Sequence, residues 1–333
     1  MNKFLVFLLS KLLITFGIVL AVGYSAACLL LFAAQGKFIF FPARAIETTP
    51  DDFQLKYQDV WLPIPAKKDA LETVHGWWIP ASENPRQVRV GVRQAVPVHP
   101  SETPPSYPLL RGGAIEAVPV SPLNKGKLGR VVLYLHGNGS NVGANVEHAN
   151  RFHRLGLSVF LIDYRGYGNS RGDFPSESQV YQDTKLAWDY LVKQRGIHPN
   201  QIYIYGHSLG GAIAIDLAVR HPEAAGLIVE ASFTSVQAMV DFQKPLFKVF
   251  PIDLLLTQRF DSLAKVDRLQ MPVLFIHGTA DNVVPAQMSK KLFDAAPEPK
   301  QLYIVPDGGH NNTAQIGGAE YLDRVNQFLG TSK

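Results

Sequence analysis

Six short runs of β-branched and aliphatic residues, at 131–135, 158–162, 202–205, 227–229, 273–276 and 302–305, show no polar alternation. Strands buried on both faces read this way. Between them, segments 145–155, 176–193, 209–220, 286–295 and 319–329 carry helical patterning. Such alternation predicts a mainly parallel sheet with right-handed crossovers and helices on both faces. Two earlier extended segments, 55–62 and 74–79, read as an antiparallel pair and bring the expected sheet to eight strands. Trp61, Trp77 and Trp78 on that pair are expected in the core. The expected fold class is therefore α/β. With 333 residues, 47% of them hydrophobic and 18% charged, the chain can bury a large core and falls outside the disordered classes.

In open parallel sheets chemistry gathers at the carboxyl ends of the strands. Nearly every predicted strand here ends in a polar or glycine-rich cluster: His136-Gly137-Asn138-Gly139, Asp163 to Gly168, Glu230, His277 to Asp281, and Pro306 to His310. The most specific cluster is Gly206-His207-Ser208-Leu209-Gly210, a G-x-S-x-G turn that follows a strand pattern and opens a helical one. So abrupt a turn forces the serine into a strained conformation that only minimal side chains at Gly206 and Gly210 tolerate. The strain lifts the Ser208 hydroxyl clear of the sheet. The backbone N–H of Leu209, at a helix start, faces the place where a negative oxygen would form.

A serine hydroxyl is a poor nucleophile at neutral pH and needs an imidazole to take its proton. The chain order Ser, acid, His selects Asp281 as the acid and His310 as the base. Glu230 is an alternative acid. Asp281 as a helix cap and His310 as a surface turn residue are the plainer readings of those two side chains. His136, His207 and His277 end strands on the same rim but lack the spacing of a zinc site, and are expected to shape the elbow and its neighbouring loops by hydrogen bonding. Asp163 and Arg165 read as loop braces. The chemistry calls for no cofactor and no metal.

These residues resemble the α/β-hydrolase superfamily from Leu55 to the end of the chain. The Ser-Asp-His order, the H-G-N-G cluster, the D-Y-R-G-Y-G-N-S loop and the H-G-T-A-D-N-V-V-P segment look like its small-lid, membrane-anchored branch, which takes in serine aminopeptidase-like hydrolases, palmitoyl-protein thioesterases and lipid esterases. The resemblance implies Ser208 as nucleophile, His310 as base and then acid, Asp281 orienting His310, and the Asn138 N–H as a second oxyanion donor beside that of Leu209.

The N-terminus carries a separate signal. Residues 4–40 are almost wholly apolar, and 12–34 contain no charge, enough to cross a hydrocarbon core of about 30 Å as a helix. Ser25-Ala26-Ala27-Cys28 has the small residues of a cleavage or lipidation site, but Leu29 to Phe32 continue the apolar run through it. An uncleaved single-pass anchor over 1–41 is expected, with the hydrolase domain over 42–333. Lys3 and Lys11 balance Lys37 and Arg44, so the positive-inside rule does not orient it. Phe38, Phe40 and Phe41 read as residues at the bilayer interface.

Two further segments stand apart. Residues 83–127 contain eight prolines, which exclude a continuous helix or central strand, and read as a long insertion. The net charge of +4 is partly carried there, without any nucleic-acid module, so no nucleic-acid partner is expected. Residues 232–270 occupy the lid position and are rich in Phe, Leu and Met. They suit either an apolar cover for an acyl chain or helices packed on the sheet. The expected activity is cleavage of carboxylic esters or acyl thioesters, on a lipid or an acylated protein, through an acyl-enzyme. A serine peptidase with the same three residues and a catalytically silent binding scaffold are the alternatives.

Overall fold

The computed structural model describes residues 3–64, 72–82 and 129–331, so the proline-rich insertion lies outside the described residues. Eight strands form one sheet: β1 (Gln58–Ile64), β2 (Glu72–Ile79), β3 (Val131–Leu135), β4 (Ser158–Ile162), β5 (Ile202–His207), β6 (Gly226–Glu230), β7 (Val273–Gly278) and β8 (Lys300–Val305). Their order is β1-β2-β4-β3-β5-β6-β7-β8. Strand β2 runs antiparallel to both its neighbours, and the remaining pairs are parallel.

The lack of polar alternation has a simple cause. Along β3, Val131, Leu133 and Leu135 point into one core, and Val132 and Tyr134 into the other. Helices α1 (Lys3–Ile39), α2 (Val146–Arg154), α3 (Glu177–Asp189) and α4 (Leu209–Arg220) come first in the chain. The short lid helices α5 (Val236–Gln243), α6 (Ile252–Leu255) and α7 (Leu263–Val266) follow, then α8 (Ala286–Ala295) and α9 (Thr313–Thr331). Helices α3, α4 and α8 pack on the first face with Trp188, Ile213 and Leu292. Helices α2 and α9 cover the second with Phe152 and Phe328. Each such side chain contributes roughly 1.5–3 kcal/mol by leaving water.

Three details depart from the sequence reading. Helix α9 starts at Thr313, six residues before the expected 319, and is broken at Gly318, whose φ of 53° no helix accommodates. The Gly317-Gly318 pair hides the short first helix from a periodicity argument. Strand β1 begins at Gln58 because Pro50–Phe53 form a 3-10 turn and Gln54 adopts a left-handed conformation. Trp77 and Trp78 are buried, but Trp61 is 46% exposed on the edge strand and lies against the His75 ring instead of in the core.

Helix α1 is 37 residues long, about 55 Å at 1.5 Å per residue, and its apolar side chains are largely exposed. It is long and apolar enough to cross a membrane. Its second half leans on the lid segment: the Tyr24 hydroxyl donates to Val249 O at 2.9 Å, Tyr24 stacks on Phe250, and Gln35 Oε1 accepts from Thr257 N at 2.8 Å. Phe40 is fully buried, edge-on to Phe174 and Phe260, whereas Phe38 and Phe41 remain exposed. The lid segment itself combines both readings. Val236, Leu256, Phe260 and Val266 join the core, while Leu246 and Leu254 are 83% and 81% exposed.

Candidate functional site

Ser208 sits between β5 and α4 with φ 54° and ψ −119°, a region costly for any residue with a side chain. Crowding below the turn requires the flanking glycines. A Cβ on Gly206 would lie 2.1 Å from Gly210 O, and one on Gly210 would lie 2.1 Å from Leu135 O. The serine is held from behind as well, its N donating to Glu230 O at 2.9 Å and its O accepting from the Ser232 hydroxyl at 2.8 Å.

The loops after β7 and β8 bring two more side chains to it. Ser208 Oγ lies 3.0 Å from His310 Nε2, and His310 Nδ1 lies 2.7 Å from Asp281 Oδ2. Asp281 Oδ1 accepts from the backbone N–H of Val283 and of Val284, both at 2.9 Å. Burial raises the cost of the Asp281 charge, but hydrogen bonds from His277, His310 and Val284 N outweigh it and hold the carboxyl well below the usual range. An ionised Asp281 fixes the His310 tautomer with its proton on Nδ1, leaving Nε2 free to accept.

The rim histidines each take a different partner. His207 Nε2 lies 2.8 Å from His310 O, bracing the loop that carries the imidazole. Burial first, and the neighbouring His310 second, push His207 below the usual histidine range, so it donates as a neutral ring. His277 supports Asp281: its Nε2 lies 3.1 Å from Asp281 Oδ2, and its Nδ1 lies 2.6 Å from the Ser289 hydroxyl. His136 Nδ1 stays near Gly137 O, in the loop expected to supply an oxyanion donor. Strand-end position found these residues, but only the three-dimensional loops assign His277 to the acid.

Glu230 does not face His310. It is buried behind the elbow, accepting from the hydroxyls of Tyr205 and Tyr321 at 2.7 Å each and from Thr313. Asp163 accepts from Val142 N at 2.9 Å, and Arg165 pairs with Asp183 at 2.8 Å and Glu72 at 2.7 Å, so both brace loops. Asn138 follows β3 beside the elbow, and Leu209 is the first residue of α4, where N–H groups have no intrahelical acceptor.

A pocket of about 690 Å³ opens over Ser208. Its apolar lining includes Phe38, Phe41, Phe233, Val236, Met239 and Val283. Polar, uncharged side chains line it too, among them Ser140, Asn145, His148 and Gln243, whose amide donates to Val283 O at 3.0 Å. His148 is pushed down to about 3 by burial and then by Arg151, so it carries no charge at neutral pH. The described residues lining the pocket include no carboxylate, lysine or arginine. Phe38 and Phe41, read from the sequence as interface residues leading into the domain, also line this pocket.

An eight-stranded sheet of this order with a serine on a strand–turn–helix elbow defines an α/β-hydrolase. The chain belongs to the family described as serine aminopeptidase, S33, whose profile matches residues 126–261 and 252–314, more than half of the chain. It is 38% identical over 208 residues to an uncharacterized protein of Mycobacterium tuberculosis, covering 62% of this chain and 72% of the relative. It is 33% identical over 202 residues to alpha/beta hydrolase domain-containing protein 17B of Homo sapiens, covering 60% of this chain and 65% of that protein. Among solved structures, an alpha-beta hydrolase from Vibrio vulnificus matches at 28% identity with a TM-score of 0.52, covering 60% of this chain and 73% of the other. An esterase of Pyrococcus furiosus shares the fold at 18% identity, with a TM-score of 0.60 over 87% of this chain and 98% of the other.

Proposed function

We propose that this hydrolase is a single-pass membrane protein that cleaves carboxylic esters or acyl thioesters through an acyl-enzyme on Ser208. The observation that carries the reading is the continuous contact from Ser208 Oγ to His310 to Asp281 at the floor of a half-apolar pocket. In the first half-reaction His310 Nε2 takes the Ser208 proton as Oγ attacks the carbonyl carbon. Asp281 stabilises the imidazolium, and the N–H groups of Asn138 and Leu209 receive the developing oxyanion, each donor lowering the barrier by about 3 kcal/mol. The imidazolium then protonates the departing alcohol or thiol. Water, deprotonated by the same nitrogen, releases the acid and restores the serine.

The mixed, uncharged lining of the pocket supports the substrate class. An acyl chain suits contact with Phe233, Val236 and Met239, and a neutral polar leaving group suits Asn145 and His148. The same three residues can cleave amides. An aminopeptidase, however, has a substrate ammonium to neutralise, and the described lining offers no carboxylate for it. In this reading helix α1 is an uncleaved anchor over 1–41 and the domain covers 42–333, so the pocket stands beside the bilayer and its substrate is a lipid ester or an acylated protein.

Rates on a panel of acyl esters, acyl thioesters and peptide amides, with Ser208→Ala as blank, test the proposal. Faster turnover of medium or long acyl chains is expected, together with fluorophosphonate labelling that Ser208→Ala abolishes. Selective amide cleavage would establish the peptidase, and a folded chain that neither labels nor hydrolyses would establish the binding scaffold.

A further inference from the structure

The loop that follows β3 is fastened to the segment leaving α1. Asn138 Nδ2 donates to Ile39 O, the carbonyl of the last residue of that helix. Asn138 Oδ1 accepts from Phe41 N at 2.9 Å, from the Tyr167 hydroxyl at 2.8 Å and from Gly139 N at 3.0 Å. Three residues on, Asn141 Nδ2 donates to Ala45 O at 2.6 Å, and Gly168 N donates to Ala43 O at 2.8 Å. Two asparagines of one loop thus grip the backbone that emerges from the apolar helix. Phe40, buried against Phe174 and Phe260, pins that backbone in place.

Asparagine meets the demands at position 138 with the two ends of its amide. The site needs a donor for Ile39 O and an acceptor for Phe41 N on one short stem. Aspartate lacks the donor and would add a negative charge close to the expected oxyanion. Serine is too short to reach both groups.

We infer that the Asn138 side chain is a positioning residue that locks the oxyanion loop onto residues 39–41, making the end of the apolar helix a working part of the catalytic site. The inference rests on the serine-hydrolase reading above. It extends it by moving the functional boundary of the catalytic unit back from residue 42 into α1, to the Tyr24 and Gln35 contacts with the lid. The backbone N–H of Asn138 survives any side-chain substitution, so what such a substitution changes is its aim.

The test uses the full chain in nanodiscs and compares wild type, Asn138→Ala, Asn138→Asp and Tyr167→Phe. The readouts are hydrolysis of p-nitrophenyl butyrate, inhibition by an alkyl trifluoromethyl ketone, whose adduct bears an oxyanion, and melting temperature. Asn138→Ala is expected to lower kcat about 30-fold, raise the inhibition constant by a similar factor and leave KM within about twofold. Asn138→Asp falls further. Tyr167→Phe, which removes one hydroxyl and keeps the ring, falls less and serves if the Asn138 variants do not fold. Unchanged kcat and inhibition in a folded Asn138→Ala would overturn the inference, as would a loss that appears only as raised KM with a lowered melting temperature. A folded wild type that neither hydrolyses the ester nor reacts with fluorophosphonate would instead overturn the hydrolase reading and this one with it.

Discussion

Asp281 and His310 meet at 2.7 Å through one carboxylate oxygen, Oδ2, and that same oxygen also lies 3.1 Å from His277 Nε2. The other oxygen is occupied by two backbone N–H groups. The carboxylate is therefore held from four directions and cannot turn away from His310. Asp281→Asn keeps the shape but offers an N–H where an acceptor is needed, favouring the wrong imidazole tautomer. Ester hydrolysis is expected to fall by about 10³-fold with little change in KM.

The same carboxylate ties stability to pH. Its folded-state pKa is depressed, so its contribution is fully present above the unfolded value and is lost as pH falls through the folded one. Melting temperature measured from pH 7 downward should begin to drop below about pH 4, near the unfolded carboxylate value, and should drop less steeply in Asp281→Asn. Equal slopes for the two proteins would contradict this.

Strain at the elbow predicts a trade of activity for stability. Ser208 has φ 54°, which glycine adopts freely. Ser208→Gly should abolish hydrolysis and stabilise the fold by about 1 kcal/mol, a rise of about 2–4 °C in melting temperature. Ser208→Ala should abolish hydrolysis without the rise, because alanine keeps the Cβ.

Behind the elbow, Glu230 is the shared acceptor of Tyr205, Tyr321 and Thr313. Glu230→Leu leaves three buried hydroxyls without it and should destabilise the protein by about 3 kcal/mol or more, read by chemical denaturation. Glu230→Gln retains a carbonyl acceptor and should cost less. Because Thr313 lies three residues from His310, both variants should also slow ester turnover.

The exposed lid side chains predict how substrate presentation matters. Leu246 and Leu254 do not line the pocket, yet they stand in the segment gripped by Tyr24 and Gln35 of α1. If that segment rests on the bilayer surface, the double variant Leu246→Glu with Leu254→Glu should hydrolyse a soluble short-chain ester at the wild-type rate. Its rate on a vesicle-embedded long-chain ester should fall about tenfold, by the lost insertion of two apolar side chains.

Much of the sheet could be read from the chain because its strands are buried on both faces and their apolar runs are bounded by glycine and charge. Residues 131–135 and 158–162 coincide with β3 and β4, and 209–220 and 286–295 with α4 and α8. The edges were less legible. Strand β1 has one solvated side, so Trp61 could lie outward without breaking any pattern. In the site, the order of Ser208, Asp281 and His310 along the chain was enough to select the side chains that meet, since the fold delivers each strand end to one rim. The attachment of Asn138 to Ile39 and Phe41 was not legible. It joins segments 97 and 99 residues apart through backbone groups that every sequence possesses.

Helix α1 runs unbroken for 37 residues, and only about 20 residues are needed to span a hydrocarbon core. On the proposed anchoring, the remainder is a mast, tied by Tyr24 and Gln35 to the lid segment. A body mounted on such a mast has little freedom to swivel. Under that proposal its opening would keep a set height and bearing over one leaflet, so that esters of the same leaflet would fall within range while those on an opposing vesicle would not.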